Sequence, residues 1–397
     1  MTGRPVACRP LPPVAAAVDE ALLRLDAEID WLLALNPVDG DRLWAAFDAS
    51  GRKSLPPLRY LDRPLDLAAA RERLLALPVD RIESPLLSAL LGEKQRELER
   101  QVELVRLRGT DGFIKASLDL FGEVPPALLG LAHEILETVG PGVALEADAG
   151  IDEVLEAAQR EFDWYRQRCP GFVCEIVVSD DLNSLMMVSH GRFYIDAGIR
   201  VPRARIEPLL QHEIGTHIVT RHNGSRQALR QLEAGLAHYD PLQEGLGVLA
   251  EYLSGFLPGE RLRMLAARVV AVDMAMHRHE AAAIFERLHE AHGLPTDDAF
   301  DVTVRALRGG GLSKDAVYLR GLRDLVHYLR EGGDFAMLFV GKFALSHRVV
   351  LDQLIAEGWV TAPEVLPRYY ARLAENDRLD ECRTLSVVDL YHEEPEA

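Results

Sequence analysis

Two imidazoles and a carboxylate fall within six residues at His212-Glu213-Ile214-Gly215-Thr216-His217. In the related pattern H-E-x-x-H, two histidines one helical turn apart bind zinc, and the glutamate works on the metal-bound water. This chain has one residue more, H-E-x-x-x-H. A straight α-helix advances about 100° per residue, which would set the two rings roughly 140° apart. Either the motif is an accident or the helix is distorted to bring both rings to one side. Gly215 favours distortion, because a single-turn π-bulge absorbs one extra residue and often marks a functional site. The expectation is non-α geometry between Glu213 and Thr216, with both imidazoles facing a third ligand.

A catalytic zinc takes three protein ligands and keeps a fourth position open for water. Glu244 is the leading candidate for the third. In Asp240-Pro241-Leu242-Gln243, Asp240 reads as an N-cap, Pro241 suits the first helical position and Gln243 completes a capping box. A helix therefore starts there and carries Glu244 one turn inside. Gly245 and Gly247 would let a neighbouring helix approach closely. Glu251, seven residues on, shares the face of Glu244. It could hold a histidine Nδ1–H from behind or itself be the third ligand.

The elements that must position these groups are mostly helices. Apolar residues recur at helical spacing in 14–35, and further helical segments follow through 82–107, 113–122, 125–139 and 152–169. Charged residues at 93, 96, 97, 100 and 103 read as a solvated helix face. Runs 174–178, 185–188 and 192–195 favour strands and are separated by turn material at 179–183 and at His190-Gly191. They are expected to form a small antiparallel sheet just before the motif helix, about 203–219. After it come helices at 240–256, 260–292, 313–330, 334–357 and 363–375, then an acidic tail expected to fray. The fold class expected is α+β, predominantly α-helical. The turn Gly109-Thr110-Asp111-Gly112 divides a helical region, 1–109, from a unit, 110–397, that holds every chemical motif.

Composition narrows the partners. With 62 acidic against 44 basic residues and a formal net charge of -18, the chain lacks the basic footprint that nucleic-acid binding needs. No stretch is apolar for long enough to span a membrane. The four cysteines are sparse, and Cys169 and Cys174 lack the Cys-x-x-Cys spacing, so all four read as reduced thiols of a cytoplasmic protein.

Three motifs then stand in one order: His212 to His217, Gln243-Glu244-Gly245-Leu246, and Leu312-Ser313-Lys314-Asp315-Ala316-Val317-Tyr318-Leu319. Over roughly residues 110–375 the chain resembles the microtubule-associated tyrosine carboxypeptidase family and its bacterial relatives, often labelled by a Q-E-G-L-A motif. This chain has Gly247 where that motif has alanine. The resemblance implies a zincin-like metallopeptidase core in which His212, His217 and Glu244 hold Zn2+ and Glu213 is the catalytic base. It implies a peptide or protein C-terminus as substrate. For the oxyanion of such a reaction the candidates are Tyr318 and then Lys314. For the substrate carboxylate they are Arg305 and Arg308, since an arginine fork matches a carboxylate. Tyr318 could equally be a core tyrosine, and the arginines solvated surface groups. The rival readings are an aminopeptidase or endopeptidase with the same site, and a non-catalytic regulatory protein with a structural metal.

Overall fold

A computed structural model describes residues 8–395 except 30, 39, 61–65, 144, 181, 183 and 190, and, for Asp41, the backbone alone. Of the expected turn positions, Asp181, Asn183 and His190 lie outside the described residues, as do residues 1–7 and 396–397 and the chain break expected at Pro64.

Helices dominate, with one small sheet, as the periodicity predicts. The first, Pro13–Ile29, buries Val18, Leu22, Leu25 and Ile29, the residues its spacing singles out. It packs on Pro85–Arg106. Its Asp19 carboxylate accepts the backbone N–H groups of Arg230 and Gln231, at the start of a short helix in the second half of the chain. One apolar core runs from Leu11 to Leu390, so the N-terminal helices and the motif-bearing part share it.

At the centre lies Asp240–Leu253. From Leu242 to Leu253 every residue but Glu244 is buried, as expected of a helix covered on all sides. It packs against Val317–Arg330 on one side and the motif helix on another. The first crossing has no room for side chains. A Cβ on Gly321 would lie 1.7 Å from the Pro241 carbonyl oxygen, and one on Gly245 would lie 2.5 Å from the Gly321 carbonyl carbon.

The sheet is mixed, not antiparallel throughout. Strands β1 (Glu175–Ser179), β2 (Met186–Ser189) and β3 (Arg192–Asp196) stand in the order β1-β3-β2. β2 pairs antiparallel with β3, whereas β1 pairs parallel with it. Burial explains the order. β3 carries Phe193 and Ile195, both fully buried, and takes the middle, while β1 leaves Val178 exposed at an edge.

Four other expectations are corrected. Glu97 does not belong to a solvated face, since it is buried and paired with the buried Lys94 at 2.9 Å. Segment 363–375 is no regular helix but a short 3-10 turn, Arg368–Arg372, and 334–357 breaks into two 3-10 turns before Arg348–Ala356. The acidic tail is docked as far as described, with Cys382 and Leu390 fully buried and the His392 N–H bonded to the Leu257 carbonyl at 2.7 Å.

Candidate active site

The motif helix begins as an α-helix, Arg203–His212, continues as a π-helix, Glu213–Ile218, and reverts to α over Val219–Ser225. In the π segment the Val219 N–H reaches back five residues to the Ile214 carbonyl. The Thr216 hydroxyl also donates across five residues, to the Gln211 carbonyl at 3.2 Å. Gly215 has no room for a Cβ, which would sit 2.5 Å from the Gln211 side-chain oxygen. The extra residue is thereby absorbed, as an inserted residue in a π-bulge should be. The two rings come to one side with centroids 5.3 Å apart.

Both rings face Glu244. Its Oε2 is 3.8 Å from His212 Nε2 and 4.0 Å from His217 Nε2, and the three donor atoms lie within 4.8 Å of one another. Behind the rings, Glu251 Oε1 stands 2.9 Å from His212 Nδ1, and Gln243 Oε1 stands 3.4 Å from His217 Nδ1. A carboxylate or amide oxygen can only accept, so each Nδ1 carries a proton and each Nε2 is the ring atom turned to Glu244, free to ligate a metal once it is deprotonated. The fully buried Glu251 is itself held by Arg205 at 2.5 Å and Arg261 at 3.4 Å. Gln243 also accepts the Thr220 hydroxyl at 2.8 Å. Gln243 is thus spent on the site and forms no capping box, and Asp240 in the first turn faces Lys314 at 3.4 Å. Gly247 meets the motif helix through the His212 ring. A Cβ there would lie 2.6 Å from His212 Nε2, so the ring rests flush on its backbone.

The charges fit metal binding. Burial would raise the Glu244 pKa, but the His212 ring and the Lys314 ammonium outweigh it and hold the group below the carboxylate range. Burial would lower His212, yet Glu244 and Glu251 lift it to about 9. His217, desolvated and less well compensated, falls to about 3. Glu213 is raised to about 7 by burial and by the neighbouring Glu244 and Glu251, against the pull of His212. The Val188 N–H of β2 lowers it slightly, and β2 packs against the π segment, which places the sheet beside the site.

The third motif lies alongside. Lys314 Nζ is 4.0 Å from Glu244 Oε1, on the oxygen turned away from the histidines. Burial would lower the Lys314 pKa, but Asp240, Tyr318 and Glu244 raise it, so the ammonium stays charged. Tyr318 is half-buried, its pKa raised by burial and then by Glu244. Arg305 grips Asp315 with two bonds, 2.6 and 3.1 Å, and the buried Arg308 reaches Asp315 at 3.5 Å and Asn36 at 2.8 Å. Both guanidiniums are taken up internally rather than held open.

Sequence reasoning missed two cations. Arg268, on Gly259–Met276, lies 5.0 Å from the Tyr318 ring centroid, and its buried Nε has no hydrogen-bond partner. It forms no ion pair with any described residue, although Asp315 is close enough to feel it. Lys342 has no ion-pair partner among the described residues, and burial and Arg221 push it down to about 8. No motif marks either residue, because being unpaired is a property of the fold.

The donor set suits zinc, which takes imidazole nitrogen and carboxylate oxygen at about 2.0–2.2 Å. Around a tetrahedron such bonds set donors roughly 3.3 Å apart, so side-chain shifts on the order of half an ångström would close the set.

Known proteins place the chain. The rat protein named microtubule-associated tyrosine carboxypeptidase 1 is 28% identical over 363 residues, covering 84% of this chain and 71% of that protein. The human protein of the same name is 30% identical over 232 residues, covering 53% of this chain and 47% of its own length. The chain thus spans about half of the human relative. A solved structure of a putative lipoprotein from Colwellia psychrerythraea covers 85% of this chain and 72% of its own at 12% identity and a TM-score of 0.40, too distant to draw on. The family model described as microtubule-associated tyrosine carboxypeptidase matches residues 45–385, and the chain belongs to that family.

Proposed function

We propose that this protein is a zinc-dependent carboxypeptidase with a zincin-like core, removing a residue such as tyrosine or glutamate from the C-terminus of a peptide or protein. The observation that carries this reading is the π turn, which turns His212 and His217 together onto Glu244 with Glu213 beside them. His212, His217 and Glu244 would hold the metal. When bound, zinc supplies a Lewis acid and a water of lowered pKa.

The chain's own groups supply the rest. Glu213, near neutrality before metal binds, is matched to take a proton from water and pass it to the leaving amine. The fixed cation Lys314 orients Glu244 from its outer oxygen. Tyr318, on the element beside Lys314 and close enough to feel the Glu244 charge, is the donor we assign to the oxyanion. Edge strand β2 lies beside the π turn and offers main-chain groups to an extended peptide. Asp315 faces the guanidiniums of Arg305, Arg308 and Arg268, but its bonds go to Arg305 and Arg308. We assign the terminal carboxylate of the substrate to Arg268, whose fork is unclaimed.

N-terminally blocked peptides with varied last residues, followed by mass spectrometry, test the reading. Loss of one C-terminal residue that stops on chelation of the metal supports it. Internal cleavage, or cleavage only of peptides with free N-termini, would assign the site to an endopeptidase or aminopeptidase instead.

A further inference from the structure

A second set of donors converges on the far end of the same helix. Cys169 caps the end of Ile151–Arg168, His222 lies on Val219–Ser225, and Glu364 sits just before the buried Val365. Cys169 Sγ is 3.4 Å from His222 Nε2, and Glu364 Oε2 is 3.3 Å from that same nitrogen. All three donor atoms lie within 4.8 Å of one another. Cys169 and His222 are buried, while Glu364 is partly open to solvent.

We propose that Cys169, His222 and Glu364 form a second metal site, separate from the His212 centre, that takes a zinc-like divalent ion and braces the end of the motif helix. Without metal, the thiol S–H is only a weak donor 3.4 Å from Nε2, and Glu364 takes its strong hydrogen bond from Arg226, so the three groups are held to one another loosely. One cation among them would be bound by all three. Zinc bonds of about 2.3 Å to sulfur and 2.0–2.1 Å to nitrogen set S and N roughly 3.5 Å apart around a tetrahedron, close to the separation seen. The mixed sulfur, nitrogen and oxygen set favours zinc over calcium or magnesium. Arg226 Nε holds Glu364 Oε2 at 2.9 Å and so fixes the carboxylate in place, while its charge weakens the site's pull on a cation.

A reactive nucleophile is the poorer reading of the same cluster. Burial and Glu364 raise the Cys169 pKa, so without metal the thiol stays protonated and inert. On binding, the thiol loses its proton to solvent and the thiolate bonds the ion. The ion would join the helix Ile151–Arg168, the motif helix five residues beyond His217, and the chain entering Val365.

Cobalt distinguishes the two centres, because the His212 centre contains no sulfur. The protein loaded with Co2+ should bind two ions per chain and show a near-ultraviolet thiolate-to-cobalt charge-transfer band. Cys169→Ala should lose the band and one ion, whereas Cys174→Ala should keep both. A His212→Ala, His217→Ala double variant should keep the band, so the test stands or falls apart from the carboxypeptidase reading. If Cys169→Ala does not fold, His222→Ala and the wild-type spectrum decide. One ion per chain with no thiolate band, or a band that survives Cys169→Ala, overturns the proposal.

Discussion

Glu251 lies 2.9 Å behind His212 Nδ1, on the side opposite the predicted metal, and is gripped by two arginines. In the site we propose, it therefore orients a ligand and is not one. Glu251→Gln should keep all three ligands yet weaken zinc affinity about 10- to 100-fold, the usual cost of losing such a partner. Competition with a chromophoric chelator measures it. An affinity within twofold of wild type would mean that His212 is oriented by something else.

Metal uptake should depend on pH in a set direction. Without metal, His212 has its pKa at about 9, so at pH 7 the ring is protonated, whereas a ligand must be neutral. Binding at pH 7 should release close to one proton, and affinity should rise about tenfold per pH unit up to about pH 9. Calorimetry in buffers of different ionisation enthalpy reads the proton count. Zero protons released, or affinity falling with pH, would contradict the assignment of His212.

The crossing at Gly321 should be intolerant of any side chain. Its missing Cβ lies 1.7 Å from a backbone oxygen, an obstacle that no rotamer change relieves. Gly321→Ala should destabilise by about 3 kcal/mol, at the upper end for overpacking. It should also loosen zinc binding, because the helix that shifts carries Glu244. A urea midpoint equal to that of wild type would show that the helices can part freely.

Arg268→Gln should raise KM for peptides with a free terminal carboxylate by about 10- to 100-fold, as expected for a lost charge-assisted pair. Amidated peptides should be cut equally poorly by both proteins. Lys342→Met is the parallel case. If the loss falls on that variant instead, Lys342 and not Arg268 binds the carboxylate.

The π turn and the convergence on Glu244 were legible because they follow from one extra residue, a glycine and a helix start, all local in sequence. The helices that use regular apolar spacing, Pro13–Ile29 and Phe113–Phe121 among them, were legible for the same reason. The strand order was not, because β1 and β3 pair according to which strand the core buries, and no turn residue records that choice. The docked tail was missed because its acidic surface outnumbers the few residues, such as Cys382 and Leu390, that anchor it. Arg268 and the trio Cys169, His222 and Glu364 carry no spacing signal, since each depends on segments far apart in the chain.

The central claim is that Glu213 activates water at a metal held by His212, His217 and Glu244. Comparing Glu213→Gln with wild type for both zinc content and C-terminal release tests it most directly. The account predicts zinc retained and turnover reduced by about 10²- to 10⁴-fold, the range for loss of a general base. Full turnover with Gln at position 213, or a wild-type protein that releases C-terminal residues with no metal bound, would contradict it.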